Sequence, residues 1–133
     1  MRASTRIEPG SLRGDTLVRG RFHVATDEPE SVGGEDTAPA PHELVAAALS
    51  GCVATTLAMY ARTKGWDLGE VEVDVVHHQH ETPPRFEVSV SLSGELGPEQ
   101  VARLEKVAAS CPVGKTLQAD VVLEERLAAP AHA

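Results

Sequence analysis

From Leu44 to Ala61 the chain carries no charged side chain, and its strong apolars are Leu44, Val45, Leu49, Val53, Leu57 and Met59, set among Ala, Ser, Gly and Thr. No polar face recurs at helical spacing, so the stretch predicts a central helix apolar all round and buried on every side. Pro41 suits the first helical position, and Glu43 falls in the first turn, where a carboxylate meets the positive end of the helix dipole. Gly65, just after Arg62 and Lys64, supplies the stop. The uncharged run is just long enough to span a bilayer. Its Ala, Gly, Ser and Thr content is too weakly hydrophobic to insert alone, which predicts no membrane association.

On either side of this helix the period changes to two. Thr16-Leu-Val and Arg21-Phe-His-Val-Ala-Thr read as strands, separated from what precedes them by Pro9-Gly10 and Arg13-Gly14-Asp15. Asp27 to Ala40 is an acidic loop rich in Gly and Pro, a length that marks a functional or dimer-related connection. Val71-Glu-Val-Asp-Val-Val-His alternates with Val71, Val73 and Val75 inward, Pro83-Pro84 makes the turn, and Phe86-Glu-Val-Ser-Val-Ser-Leu is the hairpin partner. A second helix starts at Pro98 with Val101, Leu104, Val107 and Ala108 on one face. It ends near Cys111, because Pro112 cannot continue it. A helical turn restarts at Pro112, and Ala119-Asp-Val-Val-Leu-Glu reads as a last strand. The order β-β-α-β-β-α-β is α+β. One small layer of strands is too little to cover the central helix, so an intimate homodimer is expected.

A length of 133 residues with 41% hydrophobic and 24% charged content fits one globular domain over residues 1–133, with about 127–133 a disordered tail. The net charge of −8 excludes nucleic acid as a partner class, because phosphate binding needs clustered Lys and Arg. Met1 to Glu8 has charges and no apolar core of a secretory signal, so a cytoplasmic location is expected. Two cysteines are too few for a disulfide scaffold, and a reducing compartment favours free thiols.

Those two thiols carry the candidate chemistry. Cys52 lies in the middle of the uncharged helix, and Cys111 opens Cys-Pro-Val-Gly-Lys-Thr-Leu after the second helix. A pair held on separate elements suits a thiol peroxidase, in which one sulfur attacks the peroxide and the other captures the oxidised product. The competing reading of either cysteine is an inert, buried small hydrophobe. Cys111 would cap the turn starting at Pro112, with amide donors and Lys115 close by, an arrangement that makes a good leaving and resolving thiol. Cys52 is too deep in its helix for the dipole to reach, so a nearby Arg or polar cluster must stabilise its thiolate. Glu43 is nine residues before Cys52, about 13 Å along a straight helix and about half a turn round it. It therefore serves that site only through a break in the helix or from a second chain; otherwise it caps the dipole. Leu57, Met59 and Tyr60 are candidate lining of a small apolar pocket. His78 and His80 share a strand face but have no third ligand, and read as an exposed strand end. Gly114-Lys-Thr lacks the Gly five positions earlier that a phosphate loop needs, since that position is Ala109. No motif calls for a cofactor or a metal.

Three segments together resemble the OsmC/Ohr family of organic hydroperoxide reductases: Gly33 to Cys52, Gly97-Pro-Glu-Gln-Val-Ala-Arg-Leu, and Cys111-Pro-Val-Gly-Lys-Thr-Leu. The resemblance implies an intertwined homodimer with active sites between subunits. It implies a peroxidatic Cys52, a resolving Cys111 and an Arg from the N-terminal strands paired with the thiolate. Arg13, Arg19 and Arg21 are the candidates for that Arg, and Glu43 is expected to position it. A lipoyl-type external dithiol would return the disulfide to thiols. Two positions depart from the best-known branch. His42 stands where that branch has Glu, ten before the cysteine, and Gly114 stands where many relatives have His. This spacing resembles the broader OsmC-like branch, for which a non-catalytic small-molecule-binding or redox-sensing dimer is the alternative.

Overall fold

Pro41 and Gly65 bracket the element on which the rest is assembled. The computed structural model describes residues 1–128. Helix α1 spans Pro41–Lys64 without interruption. At its start the Ala40 amide donates to Glu43 Oε1 at 2.9 Å, satisfying a backbone group that the helix itself cannot. At its end Gly65 takes φ +71°, the left-handed conformation that Gly adopts without a Cβ penalty.

Leu49, Val53, Leu57 and Ala61 form a buried row along one side of α1, spaced four residues apart. Burying a side chain such as Leu57 contributes about 2 kcal/mol. Against this row lie the antiparallel hairpin β4 (Val71–His78) and β5 (Arg85–Leu92), the helix α2 (Pro98–Ala108) and the short helix α3 (Pro112–Gln118). Val71, Val73 and Val75 are half-buried and alternate with exposed Glu72 and Asp74, as their period predicts. From α2, Leu104 and Val107 reach the core, whereas Val101 stays exposed.

The opposite side of α1 is bare. Ala47, Ala48, Gly51, Thr55, Ala58 and Met59 are all exposed, so within one chain the helix is covered on a single side rather than on every side. By length and composition alone it is apolar enough to cross a membrane.

Strands β1 (Ala3–Ile7), β2 (Gly14–Val18) and β3 (Phe22–Thr26) form a separate antiparallel meander. Strand β1 was not foreseen, because Ala-Ser-Thr-Arg-Ile has only one strong apolar residue to reveal a period. Every residue of β1 is exposed, and the meander makes no substantial contact with the helices or the hairpin of its own chain.

The strand expected at Ala119–Glu124 does not form; the chain is irregular from Asp120 to Ala128. A strand needs a neighbour for its backbone hydrogen bonds, and none of the described strands lies beside it. Val121, Val122 and Leu123 are left 59%, 83% and 76% exposed. Of the tail expected at 127–133, residues 129–133 lie outside the described residues.

A buried carboxylate organises the long loop between β3 and α1. Asp27 is 2% exposed and accepts hydrogen bonds from the Thr37 hydroxyl (2.7 Å), the Thr37 amide (3.0 Å) and the Glu28 amide (2.8 Å). Arg13 donates to the Thr37 hydroxyl and carbonyl oxygens at 2.6 and 3.1 Å, tying β2 to the same point. At Gly34 a Cβ would come within 1.9 Å of the Glu28 carbonyl oxygen, so the fold of this loop needs glycine there. The Thr37 hydroxyl and these amides hold the Asp27 pKa down from 3.8 to about 2. Because the folded pKa is depressed, its stabilisation is fully present above about pH 4 and is lost as pH falls toward 2. Asp27→Asn is expected to lower the melting temperature at pH 7 and to flatten its fall between pH 4 and pH 2. An unchanged acid limb in the variant would refute this assignment.

Candidate functional site

The bend between α2 and α3 brings the two thiols together. Cys111 stands between Ala108, the last residue of α2, and Pro112, which opens α3 with φ already fixed for a helix. The Cys111 backbone is extended (φ −63°, ψ 141°), and its Sγ accepts from the Gly114 amide at 3.2 Å, as an N-cap side chain does. The Val113 amide of the same turn donates to Cys52 Sγ at 3.5 Å. Adjacent amides thus address the two sulfurs, which adjoin one another where α3 meets α1. Cys52 is half-buried and Cys111 is 1% exposed; both are free thiols.

The Cys111 cap forms as its sequence predicts, but its electrostatic consequence is reversed. Burial pushes the Cys111 thiol above the ordinary value, the Gly114 amide opposes this, and the neighbouring Cys52 raises it further. Removing the thiolate from water costs more than two amide hydrogen bonds return. Lys115, expected close by, is exposed on α3.

Beside the thiols an open groove of about 1050 Å³ runs between α1, β5, α2 and α3. Val88, Val90 and Leu92 form one wall, and Val101, Leu104 and Ala108 the other. Leu49, Val53 and Leu57 make the floor, Cys111 and Gly114 are part of the lining, and Cys52 is not. His42 and His77 meet edge to face at 5.6 Å at one end, with His77 stacked on Phe86 at 4.1 Å. Of the side chains expected to line a pocket, Leu57 does so. Met59 faces out on the bare side of α1, and Tyr60 accepts from Arg103 Nε at 2.9 Å, joining α1 to α2.

The other sequence candidates lie apart from the thiols. Glu43 is held at the start of α1 by its bond to the Ala40 amide, and the unbroken helix keeps it about 13 Å along the axis from Cys52. Arg13 is bound to Thr37. Arg19 and Arg21 lie over Phe22 at 5.1 and 5.0 Å, at the β2–β3 turn. None of these cations reaches Cys52 within one chain. His78 Nδ1 is 3.1 Å from Glu81 Oε2, and His80 is in the turn beyond β4.

Sequence reasoning missed the apolar wall that β5 gives the groove and the place of Gly114, on α3, in its lining. The signal was present in Val88 and Val90, whose alternation identifies a strand but not which of its faces stays open.

A single long helix carrying one cysteine, a hairpin laid along it and a second cysteine capping a short C-terminal helix define an α+β protein with paired thiols. Residues 33–126 match the family described as OsmC-like protein, and the chain belongs to that family. No curated protein matches it in sequence. Among solved structures it is similar to an OsmC-like protein from Mycoplasma pneumoniae, with TM-score 0.72, 14% identity, and 88% of this chain and 86% of that one covered. It is also similar to an organic hydroperoxide resistance protein OsmC from Legionella pneumophila, with TM-score 0.61, 20% identity and 87% of each chain covered. The organic hydroperoxide resistance protein OhrB of Bacillus subtilis is a third, with TM-score 0.55, 21% identity, and 88% and 89% covered. At these identities the likeness shows a shared fold.

Proposed function

We propose that this protein is a thiol-dependent peroxidase that reduces organic hydroperoxides, acting as a homodimer. The observation that supports this best is the meeting of Cys52 and Cys111, the only two cysteines of the chain, side by side at the start of α3. The names of the Legionella and Bacillus relatives point to the same substrate class.

In this reading the half-buried Cys52 thiolate attacks the terminal oxygen of the hydroperoxide. The O–O bond breaks, the alkoxide takes a proton and leaves as the alcohol, and Cys52 becomes a sulfenic acid. Cys111 loses its proton and attacks that sulfur, a water leaves, and the two cysteines are joined as a disulfide. An external dithiol then restores both thiols. Burial keeps Cys111 protonated and unreactive until the sulfenic acid forms beside it. The apolar groove favours a hydrocarbon-bearing peroxide over hydrogen peroxide.

The dimer rests on surfaces that one chain leaves uncovered: the bare side of α1, the isolated β1–β3 meander, and Val121–Leu123 without a strand neighbour. Arg13, Arg19 and Arg21 all belong to that meander. Laid against a second copy, it carries a cation to the other copy's Cys52, and Glu43 approaches a thiol only in the same way.

Turnover with a dithiol and cumene hydroperoxide, compared with hydrogen peroxide, tests the reading. Faster consumption of cumene hydroperoxide is the expected result. No consumption of either peroxide overturns it.

A further inference from the structure

The two sulfurs meet in surroundings that offer them few other partners. Cys52 and Cys111 are within hydrogen-bonding reach of one another. They belong to the apolar cluster that also holds Leu49, Val53, Val107 and Val113. The polar groups aimed at them are amides, from Gly114 to Cys111 Sγ at 3.2 Å and from Val113 to Cys52 Sγ at 3.5 Å. Among the described residues, no third His, Cys, Asp or Glu completes a metal-binding cluster with them. Gly114, where a Cβ would lie 3.1 Å from Cys111 Sγ, leaves the position beside that sulfur without a side chain.

We infer that the reduced pair is a two-coordinate site for a soft monovalent metal ion, cuprous copper, held between Cys52 Sγ and Cys111 Sγ. Thiolates select cuprous copper, whereas structural zinc takes four ligands and magnesium and calcium take oxygen. Two sulfurs in an apolar shell, with nothing to make a third or fourth bond, suit the first and not the others. With metal–sulfur bonds of roughly 2.3 Å, one ion spans sulfurs up to about 4.6 Å apart, the scale of a thiol–thiol contact. On binding, each thiol gives its proton to solvent, two copper–sulfur bonds form, and the copper stays cuprous. The site then carries one negative charge in place of the two of a bare dithiolate, and the Val113 and Gly114 amides face that charge. Copper binding and peroxide reduction draw on the same sulfurs and exclude each other: a loaded pair has no free thiolate, and a disulfide has no site. The inference uses the pairing of the thiols and not the peroxidase reading.

The test uses the full-length protein, reduced and kept free of oxygen, titrated with cuprous ion against bicinchoninate, a coloured chelator that reports the copper it loses. One ion per chain is expected, and X-ray absorption of the loaded wild type should show two sulfur neighbours at the copper and nothing else. Cys52→Ser and Cys111→Ser should each bind on the order of 10²–10⁴-fold more weakly, because the surviving thiolate loses a partner held at high effective concentration. Diamide should form no disulfide in the loaded protein. Zinc offered alone should be retained no better by the wild type than by the double variant. No copper taken from the chelator, a single variant that binds as the wild type does, or half an ion per chain each overturns the inference. So does a nitrogen or oxygen neighbour at the copper, a disulfide formed in the loaded protein, or zinc retained by the wild type alone. A protein that holds copper but consumes no hydroperoxide fails the peroxidase reading alone, and one that turns over peroxide but takes no copper fails this inference alone.

Discussion

Cys52→Ser is expected to abolish dithiol-coupled reduction of cumene hydroperoxide, with a loss on the order of 10³-fold or more, because a hydroxyl is far weaker than a thiolate as a nucleophile toward an O–O bond. Cys111→Ser should behave differently. It retains the attacking sulfur, so about one equivalent of peroxide should be consumed quickly, and the protein should then stall with Cys52 as a sulfenic acid that dimedone traps. Neither change creates a large cavity, since oxygen replaces sulfur at both sites, so both variants should keep the wild-type circular dichroism spectrum. Wild-type turnover by the Cys52 variant would end the peroxidase reading. If Cys111→Ser turned over normally without a sulfenic acid, Cys111 would lose its resolving role.

The second large effect concerns assembly. Ala58 lies in the middle of the bare side of α1, among Gly51, Thr55 and Met59. In an isolated chain, Ala58→Arg places its guanidinium in water at almost no cost. Between two copies of α1 the same group is a buried charge without a partner, costing roughly 3–5 kcal/mol, or about two to four decades in the dissociation constant. Sedimentation at micromolar concentration should show a dimer for the wild type and a monomer for the variant. A wild-type protein that stays monomeric and fully folded at that concentration contradicts the proposed assembly. The same variant should lose peroxidase turnover if the cation at Cys52 comes from the second chain.

The central helix was legible from its ends inward: Pro41, Glu43, Arg62, Lys64 and Gly65 mark its limits, while the absence of charge between them predicts burial on every side, of which one chain supplies a single side. The β4–β5 hairpin was legible from alternating valines, and α3 from the proline after Cys111. The errors share one physical cause, which is that sequence period describes a residue's preference and not its neighbours. Ala119–Glu124 alternates as a strand does, but the backbone of this chain offers it no ladder. Cys111 has the local setting of an activated thiol, yet the bulk of Leu49, Val107 and their neighbours decides its ionisation, and that bulk arrives from distant segments. Glu43 and the three arginines were recognisable as charged groups near the right elements. Within one chain they lie away from the thiols, because the elements that carry them are placed by contacts between distant segments that no sequence period reports.

The clasp at Asp27, Thr37 and Arg13 acquires a further meaning from the meander it anchors. Among the described residues, three strands that make no substantial contact with the helices or hairpin of their own chain stand as an outstretched arm, and the loop from Asp27 to Ala40 is its elbow. By fixing that elbow with a buried carboxylate rather than leaving it slack, the chain sets the arm's direction before any second molecule arrives. In the proposed dimer the entropy of aiming would then be lost during folding rather than at encounter, which would favour capture of another copy in one pose over many.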